Sequence, residues 1–277
     1  MTWGSMPAGA IDRWVPTNAI TLHAVDVGQG PPLVFLHGLG WDATLWASAA
    51  RRFGDRYRVI AGDTRGHGRS DKPAGPYSID LFAADWLELL DELRIERACL
   101  VGFSQGGMIA QVLALEHPER VAALVLVSTA CRSDPSAKEK MEERIRVAQM
   151  QGPVAAAKLA AASIYSKRFT DARPDVVERF IAWRAAAEQG PLLEATRAVY
   201  GFDVSARLSA VQAPTLVMYG DEDALTPPPV VRHVADCLPK PELVCVSGAG
   251  HMIPIEQPQE FESRLDAFLE RHYPSNA

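Results

Sequence analysis

No apolar run in the 277-residue chain approaches the ~20 residues needed to cross a bilayer, so no membrane-spanning helix is expected. Positive charge is scarce: 28 Lys and Arg stand against 34 Asp and Glu, for a formal net charge of −6 and a pI near 5.7. With no basic stripe, nucleic acid is not an expected partner. Cysteine is sparse too. Cys99, Cys131, Cys237 and Cys245 form no C-x-x-C pair, and Cys99 and Cys245 fall inside apolar, strand-like runs. They read as reduced, buried thiols, which points to the cytoplasm. The histidines lack the clustered spacing of a zinc site, so neither metal nor organic cofactor is expected. The N-terminus has no basic start and no apolar block, so no signal peptide is read there. Residues 1–18 read as a loose arm.

What the chain does have is alternation. Short β-rich runs at Ile20–Asp26, Pro32–His37, Arg58–Asp63, Arg97–Phe103, Val121–Ser128, Pro214–Tyr219 and Glu242–Val246 alternate with helix-length stretches. The helical stretches are Ala43–Phe53, Ile79–Leu93, Gln105–Glu116, Pro228–Cys237 and Gln259–His272. Several strand candidates are continuously apolar (Leu33-Val-Phe-Leu, Leu124-Val-Leu-Val, Leu216-Val-Met-Tyr), the pattern of strands covered on both faces. This predicts an α/β fold with a doubly wound, mostly parallel sheet. The alternation stops at Arg132 and resumes near Pro214. The alanine-rich stretch between has helical period throughout, punctuated by Gly152-Pro153, Arg173-Pro174 and Gly190-Pro191. Residues 132–202 are therefore expected to form an inserted helical cap, with the core made of residues 19–131 and 203–277.

Residues 102–107, Gly-Phe-Ser-Gln-Gly-Gly, lie where a strand candidate turns into a helix. A serine at such a turn stands clear of the backbone, and the tight turn needs neighbours without side chains, here Gly102 and Gly106. The helix starting at Gln105 aims free N–H groups at whatever forms on Ser104. A serine nucleophile needs a base and the base an orienter. Among seven histidines, His251 follows the last strand at the same sheet edge as Ser104. Asp223 lies in the strand-exit run Tyr219-Gly-Asp-Glu-Asp and is preferred over Asp221, whose place beside Gly220 reads as a turn. The order Ser104, Asp223, His251 is that of an α/β-hydrolase triad. Oxyanion donors are expected from the backbone N–H groups of Gln105 and, in the loop His37-Gly-Leu-Gly-Trp, of Leu39. His37 reads as a brace for that loop and His67 as a structural loop residue.

With these residues in hand, the sequence resembles the α/β-hydrolase family over about residues 20–272, through His37-Gly-Leu-Gly, Asp63-Thr-Arg-Gly-His-Gly-Arg-Ser, Gly102-Phe-Ser-Gln-Gly-Gly, Gly220-Asp-Glu-Asp and Gly250-His-Met. It is closest to the 3-oxoadipate enol-lactonase and carboxylesterase branch, through Pro76-Tyr-Ser-Ile, Gly107-Met-Ile-Ala-Gln, Glu116-His-Pro-Glu-Arg-Val and Ile255-Glu-Gln-Pro. Two positions depart from the lactonase pattern. Gln105 stands where those enzymes carry Met, and Ile164-Tyr-Ser-Lys-Arg-Phe-Thr lacks their tryptophan; both bear on the substrate rather than the chemistry.

The expected activity is hydrolysis of a small-molecule ester or lactone through an acyl-enzyme. The pocket is expected between cap and core, lined by Trp41, Phe103, Met252 and Ile253 from the core and Met141, Ile145, Tyr165, Phe180 and Trp183 from the cap. Lys167 and Arg168 read as a solvated basic pair. The same triad is compatible with carbon–carbon bond hydrolysis or cofactor-free perhydrolase and haloperoxidase chemistry. A ligand receptor on a hydrolase scaffold is the alternative of another class. An apolar cap face is compatible with a homo-oligomer.

Overall fold

Continuous apolar runs become interior strands. In the computed structural model, which describes residues 3–17, 19–133 and 135–275, eight strands form one sheet in the order β1-β2-β4-β3-β5-β6-β7-β8. They are β1 (Ile11–Pro16), β2 (Thr21–Val27), β3 (Pro32–Leu36), β4 (Arg58–Gly62), β5 (Ala98–Phe103), β6 (Val121–Val127), β7 (Thr215–Gly220) and β8 (Glu242–Val246). β1 pairs with β2, and β2 with β4, antiparallel; every other pairing is parallel.

Successive side chains of a strand serve opposite layers. Val34 and Leu36 of β3 belong to the buried layer formed with α2 (Ile79–Glu92), α3 (Gln105–Glu116) and α9 (Pro228–Cys237). Leu33 and Phe35 pack with α1 (Ala47–Phe53) and α11 (Pro258–His272). Each fully buried Val, Leu or Phe in these layers is worth about 1.5–3 kcal/mol. Ser78 caps α2 by accepting from the Leu81 N–H at 3.0 Å.

Between β6 and β7 the chain makes an all-helical excursion: α4 (Pro135–Gln151), α5 (Pro153–Ile164), α6 (Lys167–Ala172), α7 (Pro174–Ala185) and α8 (Gln189–Arg197). Proline opens α4, α5 and α7, where its missing N–H costs nothing.

The N-terminal segment departs from the expected loose arm. Ile11–Pro16 is an edge strand, and only Val15 of its six residues is buried, so its sequence carries no apolar alternation to read. Trp3 is buried at ring-centroid distances of 5.0 Å from Trp41, 6.1 Å from Trp183 and 6.4 Å from Phe180, with the Arg179 guanidinium 4.4 Å from its ring centre. The segment thus fastens to α7. Cys245, expected inside, is exposed because β8 is the far edge strand; Cys99 and Cys131 are buried.

Candidate active site

β5 ends at Phe103 and α3 begins at Gln105, so Ser104 alone turns the chain, at φ 52° and ψ −117°. A non-glycine residue there stores roughly 1–3 kcal/mol of strain. The surroundings hold it: the Ser104 N–H donates to Val127 O at 2.9 Å, and its carbonyl accepts from the Thr129 hydroxyl at 2.7 Å. Its own hydroxyl caps nothing in the helix. The flanking glycines answer to close backbone approach. A Cβ on Gly102 would lie 2.5 Å from Gly106 O, and one on Gly106 would lie 2.3 Å from Leu36 O. Gly107 abuts Thr129, in the segment that follows β6.

The loop after β3 lies against the serine, close enough that a Cβ on Gly38 would come within 3.1 Å of Ser104 Cβ. His37 braces this loop with both ring nitrogens: Nδ1–H donates to Gly38 O at 2.8 Å and Nε2 accepts from the Thr64 N–H at 3.0 Å. Burial lowers the proton affinity of His37, and of the adjacent His67 to about 3, so both rings are neutral. Gln105, the first residue of α3, has no intrahelical acceptor for its N–H. Its side chain donates to Ala195 O at 2.8 Å, tying the turn to α8.

Asp223 and His251 come together after β7 and β8. His251 Nδ1 is 2.9 Å from Asp223 Oδ2, with both side chains buried. Asp223 Oδ1 accepts from the N–H groups of Leu225 and Thr226, each at 2.8 Å, and Oδ2 also accepts from the Thr226 hydroxyl at 2.6 Å. Asp221 is occupied elsewhere, accepting from the Gly248 N–H at 2.6 Å and the Ser247 hydroxyl at 3.1 Å.

Ser104 and His251 share the wall of a cavity of about 90 Å³. Trp41, Phe103, Met141 and Phe180 line it as expected, and Leu39, expected only as an oxyanion donor, lines it too. Five expected lining residues do not. Met252 and Ile253 turn into the core and are fully buried, because the chain after His251 immediately begins a helical turn, α10 (Ile253–Glu256). Ile145 and Trp183 face neighbouring cavities, being one residue round the helix from the cavity-facing Arg144 and Arg184. Tyr165 is also absent from the wall; it stacks on Phe169 and meets Phe180 edge-on. Lys167 and Arg168 are exposed, as expected, and Lys167 pairs with Asp171. The sequence reading missed Arg144, Arg184, Met108 and Thr226 on the wall.

The sequence profile described as alpha/beta hydrolase fold matches residues 31–258. The chain belongs to the alpha/beta hydrolase fold family. This alpha/beta hydrolase is 30% identical to 3-oxoadipate enol-lactonase 2 of Acinetobacter baylyi over 268 residues, covering 96% of this chain and 99% of the relative. It is 32% identical to the putative carbamate hydrolase RutD of Pseudomonas syringae pv. syringae, over 89% of this chain and 96% of the relative. The crystal structure of the enol-lactonase from Burkholderia xenovorans superposes with a TM-score of 0.87 at 27% identity, covering 93% of this chain and all (100%) of that one. Hydrolase activity is the assignment these relatives support. Among the described residues of the alpha/beta hydrolase, no helix is long and apolar enough to cross a membrane.

Glu256, which sequence reasoning did not single out, holds the His251 loop of the alpha/beta hydrolase. Its carboxylate accepts from the N–H groups of Gly250 at 3.0 Å, Met252 at 3.2 Å and Ser166 at 3.1 Å. The His251 N–H in turn donates to Ile164 O, at the end of α5, at 2.9 Å. Glu256→Ala leaves the N–H groups of Gly250 and Ser166 unpaired, while that of Met252 keeps Ile164 O at 3.2 Å; each lost partner is worth about 1–3 kcal/mol before relaxation. A net loss of about 2–4 kcal/mol is expected, read as a Tm lower by roughly 5–15 °C in thermal melts. Turnover should fall with it, because His251 loses its support, whereas Glu256→Gln, which keeps one carbonyl oxygen, should lose less of both.

The fold also gathers a soft donor set that sequence spacing does not announce. Ligand atoms of Cys131, His233 and Cys237 lie within 4.8 Å of one another, His233 and Cys237 one turn apart on α9. Burial first, then the neighbouring Cys237, pushes the Cys131 thiol up to about 12.

Proposed function

We propose that the chain is a serine hydrolase of carboxylic esters or lactones. Ser104 is the nucleophile, His251 the base and then the acid, and Asp223 the orienter. One observation carries this reading: a strained serine at the start of α3 shares a cavity wall with a histidine whose Nδ1 is held by a buried carboxylate. Asp223 accepts from Nδ1–H, which leaves Nε2 free to take a proton. Ser104 Oγ attacks the carbonyl carbon while His251 takes its proton. The backbone N–H groups of Gln105 and Leu39 hold the oxyanion, each worth about 10²–10³ in rate. The C–O bond to the leaving group then breaks, and His251 returns the proton to the departing alkoxide. Water repeats the sequence on the acyl-enzyme and releases the acid.

The same steps serve a carbamate carbonyl, and the resemblance to putative carbamate hydrolases makes carbamates the second substrate class to try. In this reading residues 132–202 act as a cap, and the substrate lies between cap and sheet. At roughly 10–15 Å³ per water-sized site, a cavity of about 90 Å³ favours short acyl groups. Initial rates on p-nitrophenyl esters from acetate to laurate, with lactones and aryl carbamates alongside, test this. We expect an ester optimum between acetate and butyrate, with a pre-steady-state burst of p-nitrophenol. A folded protein that turns over none of these substrates refutes the reading.

A further inference from the structure

Three arginines line the cavity wall: Arg132, which is exposed, and two from the inserted helices that have no counter-ion. α4 contributes Arg144 and α7 contributes Arg184, beside the apolar Met141 and Phe180 of the same two helices. Among the described residues no carboxylate pairs with either arginine. Arg144 Nη2 donates to the Ser163 hydroxyl, a neutral partner. Arg184 Nη1 is buried and has no hydrogen-bond partner. Burial, and then the charge on Arg144, push Arg184 down to about 9, so that it remains protonated at neutral pH. Burial lowers Arg144 as well. A half-buried guanidinium with an unpartnered inner nitrogen is costly, and bringing two like charges together adds to that cost. Cavity-facing cations with open donors are what a bound anion would neutralise.

The position of Arg184 sets where that anion would lie. Its guanidinium rests on the loop that carries Leu39: a Cβ on Gly40 would sit 2.3 Å from Arg184 Cζ. Arg184 also lines two neighbouring cavities, of about 50 and 220 Å³. The anion site and the proposed oxyanion site are thus neighbours, separated by a residue or so of the same loop.

We propose that Arg144 and Arg184 form a carboxylate subsite, and that the substrate is an ester or lactone whose acyl part ends in a carboxylate a few bonds from the scissile carbonyl. This rests on the serine hydrolase reading for its chemistry but not for its binding step. Guanidinium suits the role because its planar fork takes a carboxylate in two parallel hydrogen bonds.

Two arms test it. In the first, p-nitrophenyl hydrogen succinate and glutarate are compared with p-nitrophenyl butyrate and valerate. Wild type should prefer the carboxylate-bearing ester by about 10–100-fold in kcat/KM, mostly through KM, as expected for one or two charge-assisted hydrogen bonds. That ratio should fall to near 1 in Arg184→Met, fall partly in Arg144→Met, and persist in part in Arg184→Lys. Equal use of both esters by wild type, or a ratio that survives Arg184→Met, overturns the proposal. In the second arm, glutarate itself is titrated calorimetrically into wild type and Arg184→Met, with circular dichroism as the check on folding. This arm needs no turnover: if every ester fails, the hydrolase reading fails, and glutarate binding alone decides the subsite. Should Arg184→Met not fold, Arg144→Met and Arg184→Lys are titrated in its place. Binding to wild type that is weakened in the variants supports the subsite, and no binding to wild type overturns it.

Discussion

Ser104→Ala is expected to lower kcat on the preferred ester by about 10⁴-fold or more while leaving the fold in place. The size of the loss follows from the role: removing the nucleophile of a concerted set costs nearly as much as removing the whole set, and what remains comes from oxyanion donors and binding. The fold should survive because no backbone hydrogen bond at this position uses the hydroxyl. Ser104 donates through its N–H to Val127 O and accepts through its carbonyl from Thr129, and its side chain caps no helical N–H. Alanine inherits the same strained turn, so Tm should stay within a few degrees. Two other hydroxyls reach the cavity wall, those of Ser133 and Thr226. If the variant keeps more than a tenth of wild-type turnover, one of those or another group is the nucleophile. A fluorophosphonate probe gives an independent reading. Intact-protein and peptide mass spectrometry should place the adduct on Ser104 in wild type and find none in the variant.

The sheet could be read in the sequence because several of its strands are uninterrupted apolar runs, and seven strand candidates match their observed ends within one residue. β1 could not be read. Its residues are mostly exposed, it ends in Pro16, and it exists because β2 offers an open edge. The turn around Ser104 was legible for a different reason. The contacts that demand glycine at positions 102 and 106 arise within a few residues of chain and against the neighbouring β3, so they leave a local signature. The cavity wall leaves none. Arg144 reaches the cavity of Ser104 and the adjoining Ile145 does not; Phe180 reaches it and Trp183, three residues on, does not. Which residue faces the serine depends on how the inserted helices sit over the sheet, and single-sequence periodicity does not encode that packing. An arginine with a buried, unpartnered nitrogen is the hardest case, because in the sequence it looks like any solvated cation on an amphipathic helix.

Asp223→Asn should cost about 10³–10⁴ in kcat with little change in stability, and the hydrogen-bond geometry says why. The two carboxylate oxygens are not equivalent. Oδ1 faces two backbone donors, the N–H groups of Leu225 and Thr226, each at 2.8 Å. An asparagine must keep its carbonyl oxygen there, because an NH₂ would point donor against donor. Its NH₂ then occupies the Oδ2 position, 2.9 Å from His251 Nδ1, where it can only donate. His251 is forced to accept at Nδ1 and to carry its proton on Nε2, the tautomer that cannot take a proton from Ser104. Thr226→Val separates this effect from general loosening of the loop. Its hydroxyl lies 2.6 Å from Asp223 Oδ2 and 3.1 Å from His251 Nδ1 but carries one proton, so it serves the carboxylate and leaves the tautomer unchanged. Its loss should cost no more than about tenfold, the scale of one hydrogen bond. Initial rates for the two variants, with thermal melts to confirm folding, give the comparison. If Asp223→Asn retained more than a tenth of the wild-type rate, Asp223 would not be the orienter. Asp221, already committed to Gly248 and Ser247, would be a poor replacement, and the way His251 is oriented would have to be sought in Glu256 and the backbone that grips its loop.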